Sequence, residues 1–179
     1  MGHLTRGGLL LLCAAWERYV EMVLAEGAQI TANRLPDING LPQAVRQKVT
    51  SHANNNSTPW TAAQLNTPTW VQIYADAIKA RVDKLHTPKH HKLKPLFEDF
   101  LAIPDIGTTW SKGSAPIDDF VVLRGEVAHR GGQSRYIRFG QLVDLEVEVK
   151  RYVKETDNFL SDHLRTIVNP PRRPWNRIA

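Results

Sequence analysis

An arginine and a histidine a few residues apart on one helix supply a fixed cation for a phosphate and a group that trades protons near neutral pH. Arg124 and His129 form such a pair in Leu123-Arg124-Gly125-Glu126-Val127-Ala128-His129-Arg130-Gly131. Spacing alone does not single it out, because Arg46 with His52 and Arg81 with His86 lie at comparable separations. Context does. Arg46 and His52 flank a short stretch that runs into Asn54-Asn55-Asn56, and His86 stands just before Thr87-Pro88. Arg124 and His129 instead occupy the last turns of a mostly apolar helical stretch that meets a Gly131-Gly132 stop. Two structural roles compete with catalysis here: an ion pair of Arg124 with Glu126, Asp119 or Glu17, and a helix cap for His129.

The other reactive side chains point to less. His86, His90 and His91 in HTPKHH have the residue type for a metal. Pro88 interrupts any helix that would align His86 with His90, and Lys89, Lys92 and Lys94 repel a cation. The nearest carboxylates are Asp83 and Glu98, so no metal site is expected and the stretch reads as a solvated basic loop. Cys13 is the only cysteine, which excludes an internal disulfide and a cysteine zinc cage and fits a reducing cytoplasm. It falls on an apolar helical face and reads as core. No G-x(4)-G-K-[ST] phosphate loop, G-x-G-x-x-G turn or G-x-S-x-G elbow is present.

The elements that must position Arg124 and His129 are helical. Leu9, Leu12, Cys13, Trp16, Val20, Val23 and Leu24 recur at one-face spacing, predicting a long helix over about 5–31 with Thr5 as N-cap. A short helix over about 42–52 follows, then Trp60 in a loop. Thr67-Pro68 reads as a cap and first-turn proline opening a helix to about Leu85. His86 to Leu93 is expected to be solvated, 95–101 to be a short helix, and Pro116 to start the helix that carries Arg124. The stretch from about Gln141 to Val168 is ambiguous, because Val143, Leu145, Val147 and Val149 alternate as in a strand. Its length without Gly or Pro favours a helix, since strands rarely exceed about ten residues. The architecture expected is all-α, one bundle of five or six helices over 1–168, followed by a basic Pro/Arg-rich tail over 169–179.

With 179 residues, 42% hydrophobic and 23% charged, the chain has the composition of one globular domain. Its net charge of +5 favours a polyanionic partner. No apolar run reaches the roughly 20 residues that cross a bilayer. The short stretch from Leu9 to Ala15 lacks a small-residue cleavage site and continues in helical phase into Trp16-Glu17-Arg18-Tyr19, so it reads as a buried helix of a cytoplasmic protein with no membrane partner.

Arg124-x(4)-His129, in its Leu-Arg-x-x-x-Ala-His-x-Gly setting on the penultimate long helix, resembles the HEPN domains of prokaryotic toxins and defence systems. The RiboL-PSP-HEPN branch is the most similar, supported by the aromatic and acidic residues of Ala14-Ala15-Trp16-Glu17-Arg18-Tyr19-Val20-Glu21. One departure stands out: many members carry a polar residue, often Asn, directly after the motif arginine, where this chain has Gly125.

The resemblance implies a metal-independent, cofactor-free endoribonuclease acting as a homodimer, in a toxin, antiviral or abortive-infection role. A cognate antitoxin or defence-system protein would be its partner. Five positions along a helix rotate about 500°, so Arg124 and His129 diverge by about 140°, and two facing copies would bring two of each onto one RNA phosphate. His129 would act as general base or acid and Arg124 as phosphate clamp, with Glu17 orienting one of them. Arg130, Arg135 and Arg138 are expected to bind RNA, with Arg172, Arg173 and Arg177 tracking its backbone and Trp175 stacking on a base. Gly125 keeps a second reading open: a non-catalytic HEPN module that binds RNA, nucleotide or a partner protein. A third is a plain helical interaction domain in which Arg124 and His129 only pair and cap.

Overall fold

Apolar side chains at helical spacing are satisfied here by helix-on-helix packing alone. The computed structural model describes residues 2–55, 63–130, 137–168 and 170–179. Among them are six α-helices, two short 3-10 turns and no strand: α1 (Gly2–Asn33), α2 (Gln43–Asn55), α3 (Trp70–Val82), α4 (His90–Leu101), α5 (Ala115–Arg130) and α6 (Phe139–Ile167). Ile38–Gly40 and Ile106–Thr109 form the 3-10 turns. No helix of the described residues is long and apolar enough to cross a membrane.

Helix α1 is the hub, packing against α3, α4, α5 and α6. It starts earlier than its sequence predicts: Thr5 is buried inside the helix instead of capping it. Its contact with α6 is close at both ends because two glycines permit it. A Cβ on Gly8 would lie 2.6 Å from a methyl of Leu142, and one on Gly27 would lie 3.2 Å from a methyl of Leu164. The two helices therefore run side by side in the same direction. Between these points Trp16, Trp110 and Tyr152 meet edge to face, with centroids 5.1–6.3 Å apart, and are buried. Their polar atoms are all satisfied: Trp16 Nε1 donates to the Pro88 carbonyl, Trp110 Nε1 to Thr156 Oγ1, and Tyr152 Oη to the Gly113 carbonyl. The aromatic–acidic segment of α1 thus has a structural task, tying α1 to α6 and to the loop before α4.

Three local expectations are corrected. The stretch after Leu85 is not a solvated loop throughout, for α4 begins at His90 and Leu93 is fully buried. Pro95 lies within that helix instead of opening it, because Asp118 of α5 accepts a hydrogen bond from the His90 N–H at 2.7 Å and caps α4 from a distance. His90 is paired as well: its Nε2 lies 2.7 Å from Asp105 Oδ1, which also accepts from the Gly107 N–H. Lys94 stands 3.4 Å from the second oxygen. Finally, Thr67 does not cap α3 through Pro68; its hydroxyl donates to the Gln64 carbonyl in a turn, and the helix starts at Trp70. Trp60 and the Gly131-Gly132 stop lie outside the described residues.

The stretch 139–167 is helical. Val149, Tyr152, Leu160 and Leu164 face the core, whereas Val143 and Val147 are exposed. The segment 170–179 is docked on α6. Asn158 Nδ2 donates to the Ile178 carbonyl while its Oδ1 accepts from the Ile178 N–H, Ser161 Oγ donates to the Trp175 carbonyl, and Trp175 Nε1 donates to the Asp157 carbonyl. Trp175 packs half-buried against the core. Arg173 and Arg177 both pair with Asp162. The basic segment is thereby held by its own chain, which removes Trp175 as a free stacking platform.

Candidate active site

Helix α5 buries Ile117, Phe120, Val121 and Val127. Arg124 lies on the same side, between Val121 and Val127 in the helical register, and is half-buried. It faces α1. Burial pushes the Cys13 thiol up to about 11, with the Arg124 charge opposing that rise and the Glu17 carboxylate adding to it, so both charges lie within electrostatic reach of Cys13. Glu17 is half-buried too. Even so, among the described residues Arg124 forms no ion pair or hydrogen bond through its side chain, with Glu17, Asp119, Glu126 or any other group.

His129 sits one turn further along and is exposed, as are its neighbours Glu126 and Ala128. It makes no side-chain hydrogen bond among the described residues, so neither a capping role nor an orienting contact from Glu17 is formed. The α5 surface next to it is open: a Cβ added at Gly125 would meet nothing within 4 Å. Gly125 therefore does not serve close packing among the described residues. It costs the helix about 1 kcal/mol relative to Ala and leaves a bare strip of backbone beside His129.

Arg130 is the last residue of α5, and Arg135 falls outside the described residues. Arg138 is exposed at the N-terminus of α6, where its backbone N–H donates to Gln141 Oε1 at 2.9 Å. The arrangement is one half-buried guanidinium without a hydrogen-bond or ion-pair partner among the described residues and one exposed imidazole on the same helix. Among the described residues no group of three or more His, Cys, Asp or Glu side chains converges in a way that would hold a metal.

A family model described as RiboL-PSP-HEPN matches residues 1–162. The chain belongs to this HEPN family. No curated protein and no solved structure is matched. The HEPN match takes in α1 to most of α6 and ends before the docked segment 170–179. Within the HEPN domain, sequence reasoning missed a surface. Leu4, Leu11, Phe139, Val143 and Val147 are all exposed on α1 and α6. The only sequence signal for it was the strand-like alternation of valines in α6.

Proposed function

We propose that this HEPN domain is an endoribonuclease whose site is assembled from two copies of α5. The observation that carries the reading is the half-buried Arg124, unneutralised among the described residues, on the helix that exposes His129. A cation kept from its own carboxylates and near the surface is suited to clamp a phosphodiester and to stabilise the charge that grows on it. One His129 imidazole takes the proton from a ribose 2′-hydroxyl, whose oxygen then attacks phosphorus. The bond from phosphorus to the 5′-oxygen breaks, and the second His129, protonated, gives its proton to that oxygen. The products are a 2′,3′-cyclic phosphate and a 5′-hydroxyl end. DNA lacks the attacking hydroxyl and is not cut by this route. No metal enters the step.

Such an activity, if directed at cellular RNA, halts growth, consistent with a toxin or an antiviral effector held in check by a cognate antitoxin or defence-system protein. Incubation of the purified protein with tRNA and homopolymer RNAs in EDTA, followed by mapping of cut ends, tests it. Cleavage leaving cyclic-phosphate ends, lost in Arg124→Ala and His129→Ala, is expected. Equal cleavage in all three proteins ends the reading. Gly125 favours a second one, a non-catalytic module that binds RNA, nucleotide or protein at the same helix; RNA binding without cleavage in the wild type is its signature.

A further inference from the structure

Five of the chain's nine lysines pair with a carboxylate: Lys48 with Asp99, Lys79 with Asp83, Lys94 with Asp105, Lys112 with Glu148 and Lys150 with Glu146. Four form no ion pair among the described residues, and three of these, Lys84, Lys89 and Lys92, stand together between the end of α3 and the first turn of α4. Only Lys154 lies elsewhere. The stretch 84–94 holds four lysines and no carboxylate, almost as much net charge as the +5 of the whole chain. Lys84 and Lys92 are exposed and Lys89 is half-buried, so a field of one sign faces solvent here.

The fold fixes this strip in place. Leu85, Pro88 and Leu93 are buried beneath it. Trp16 of α1 donates to the Pro88 carbonyl at 3.2 Å, and Asp118 of α5 accepts from the His90 N–H at 2.7 Å. The Lys89 N–H donates to the Thr87 carbonyl at 2.8 Å, and Lys92 Nζ donates to the Thr87 hydroxyl. The nearby carboxylates are engaged elsewhere, Asp118 in its cap and Asp105 by His90 and Lys94. A cation already positioned loses less freedom when an anion binds. Both tethers also lead to the candidate active site. Asp118 is six residues before Arg124 on α5, about 9 Å along the axis. Trp16 is next to Glu17 and three residues after Cys13, the thiol that feels the Arg124 charge.

We infer that Lys84, Lys89 and Lys92 form an RNA-backbone docking site beside the candidate active site, holding phosphates other than the one that Arg124 clamps. The choice of RNA as the polyanion rests on the ribonuclease reading above. Lysine ammonium groups are point charges suited to phosphates, and the stretch 84–94 has no Phe, Tyr or Trp on which a base could stack. The strip therefore grips the backbone and is indifferent to sequence.

Anisotropy of a fluorescent 2′-O-methyl RNA, which has no free hydroxyl to attack phosphorus, tests the assignment across a salt series. Lys84→Ala/Lys89→Ala/Lys92→Ala binds at least about tenfold more weakly than the wild type at about 0.1 M salt. Its plot of log affinity against log salt is shallower by about 2, as three lost single-strand phosphate contacts require. Lys79→Ala/Lys112→Ala/Lys150→Ala, which removes equal charge from paired positions, binds within about twofold of the wild type. On cleavable RNA the loss in the strip variant falls on KM and not on the saturated rate. Should that variant lose helical circular dichroism, Lys84→Gln/Lys89→Gln/Lys92→Gln carries the same expectation. A wild type that binds no RNA, a strip variant with unchanged affinity and salt slope, or two triple variants weakened equally overturns the inference. The two readings fail separately: RNA held by the strip but never cut keeps the strip and removes the nuclease, and cleavage with the strip variant binding as the wild type does the reverse.

Discussion

Arg124 and His129 share α5 yet meet different surroundings: Arg124 is half-buried towards Cys13 and Glu17 of α1, and His129 is exposed. Their losses should therefore look alike in activity and unlike in stability. Removing either one from a shared phosphate site costs at least about a hundredfold in single-turnover cleavage. His129→Ala leaves folding within about 0.5 kcal/mol, as for other exposed sites. Arg124→Ala loses the packing of the arginine stem against α1 and costs about 1 kcal/mol. Arg124→Lys restores the charge but not the two-pronged hydrogen bonding, so its cleavage stays close to that of Arg124→Ala. Urea denaturation alongside cleavage assays separates the two effects, and full activity in Arg124→Lys would remove the clamp.

Gly125 gives a prediction of opposite sign. Its Cβ position is open, and its backbone is helical, so the ordinary cost of glycine in a helix applies with no packing gain against it. Gly125→Ala should stabilise the chain by about 0.5–1 kcal/mol, raising Tm by about 1–4 °C for a chain of this size. A fall in Tm would mean that something closes on this strip of α5.

What the sequence made legible, and what it hid, follows from how far apart the deciding residues are. The all-α architecture rests on local periodicity, so it could be read directly; α1 and α6 follow their stripes, although α1 begins before Thr5. In α6 the competing strand signal has a physical source. Leu142, Val149 and Tyr152 belong to the inner face, and Val143 and Val147 to a second, outer apolar stripe. Superposed, two helical stripes imitate alternation. The start of α4 was hidden because its cap, Asp118, comes from another helix 28 residues later. Trp175 looked free because its partners, Asp157 and Ser161, act through hydrogen bonds that no short motif signals. At the site, the residue types and spacing of Arg124 and His129 were readable. Whether a neighbouring carboxylate neutralises Arg124 depends on side-chain placement, which spacing does not encode.

Two carboxylates should respond to pH in opposite directions. Burial holds the Asp157 carboxyl above its ordinary range, with the Tyr19 hydroxyl opposing the rise and the charge of Glu26 adding to it. Folded Asp157 thus binds its proton more tightly than unfolded, and its penalty at neutral pH fades as pH falls through the raised value. Asp105 is held below its ordinary range, first by the hydrogen bond from His90 and then by the Gly107 N–H and Lys94, against the effect of burial. Its contribution is complete above about pH 4 and disappears as pH falls through the depressed value. Asp157→Asn should therefore stabilise the protein at pH 7 and lose that advantage in acid. Asp105→Asn should destabilise it at pH 7, with the difference closing below about pH 4. Stability curves for the three proteins that run parallel across this range would contradict both assignments.

The docked segment 170–179 offers the last test. Asn158 holds Ile178 by two backbone hydrogen bonds, with its Nδ2 at 3.1 Å from the carbonyl and its Oδ1 at 2.7 Å from the N–H. An alanine there removes both and leaves those backbone groups to water, while α6 itself keeps every main-chain bond. The loss should be felt locally, as easier opening of this one segment, by about 1.4 kcal/mol or tenfold in its protection. Limited proteolysis of Asn158→Ala with trypsin should cut after Arg172 or Arg177 about ten times faster than in the wild type, with the rest of the domain resistant. Asp162→Asn, which weakens the pairing of Arg173 and Arg177 at the exposed edge, should do so by a smaller factor because exposed ion pairs contribute little. Equal cutting in Asn158→Ala and the wild type would show that Trp175, packed against the core, holds the segment without help from Asn158.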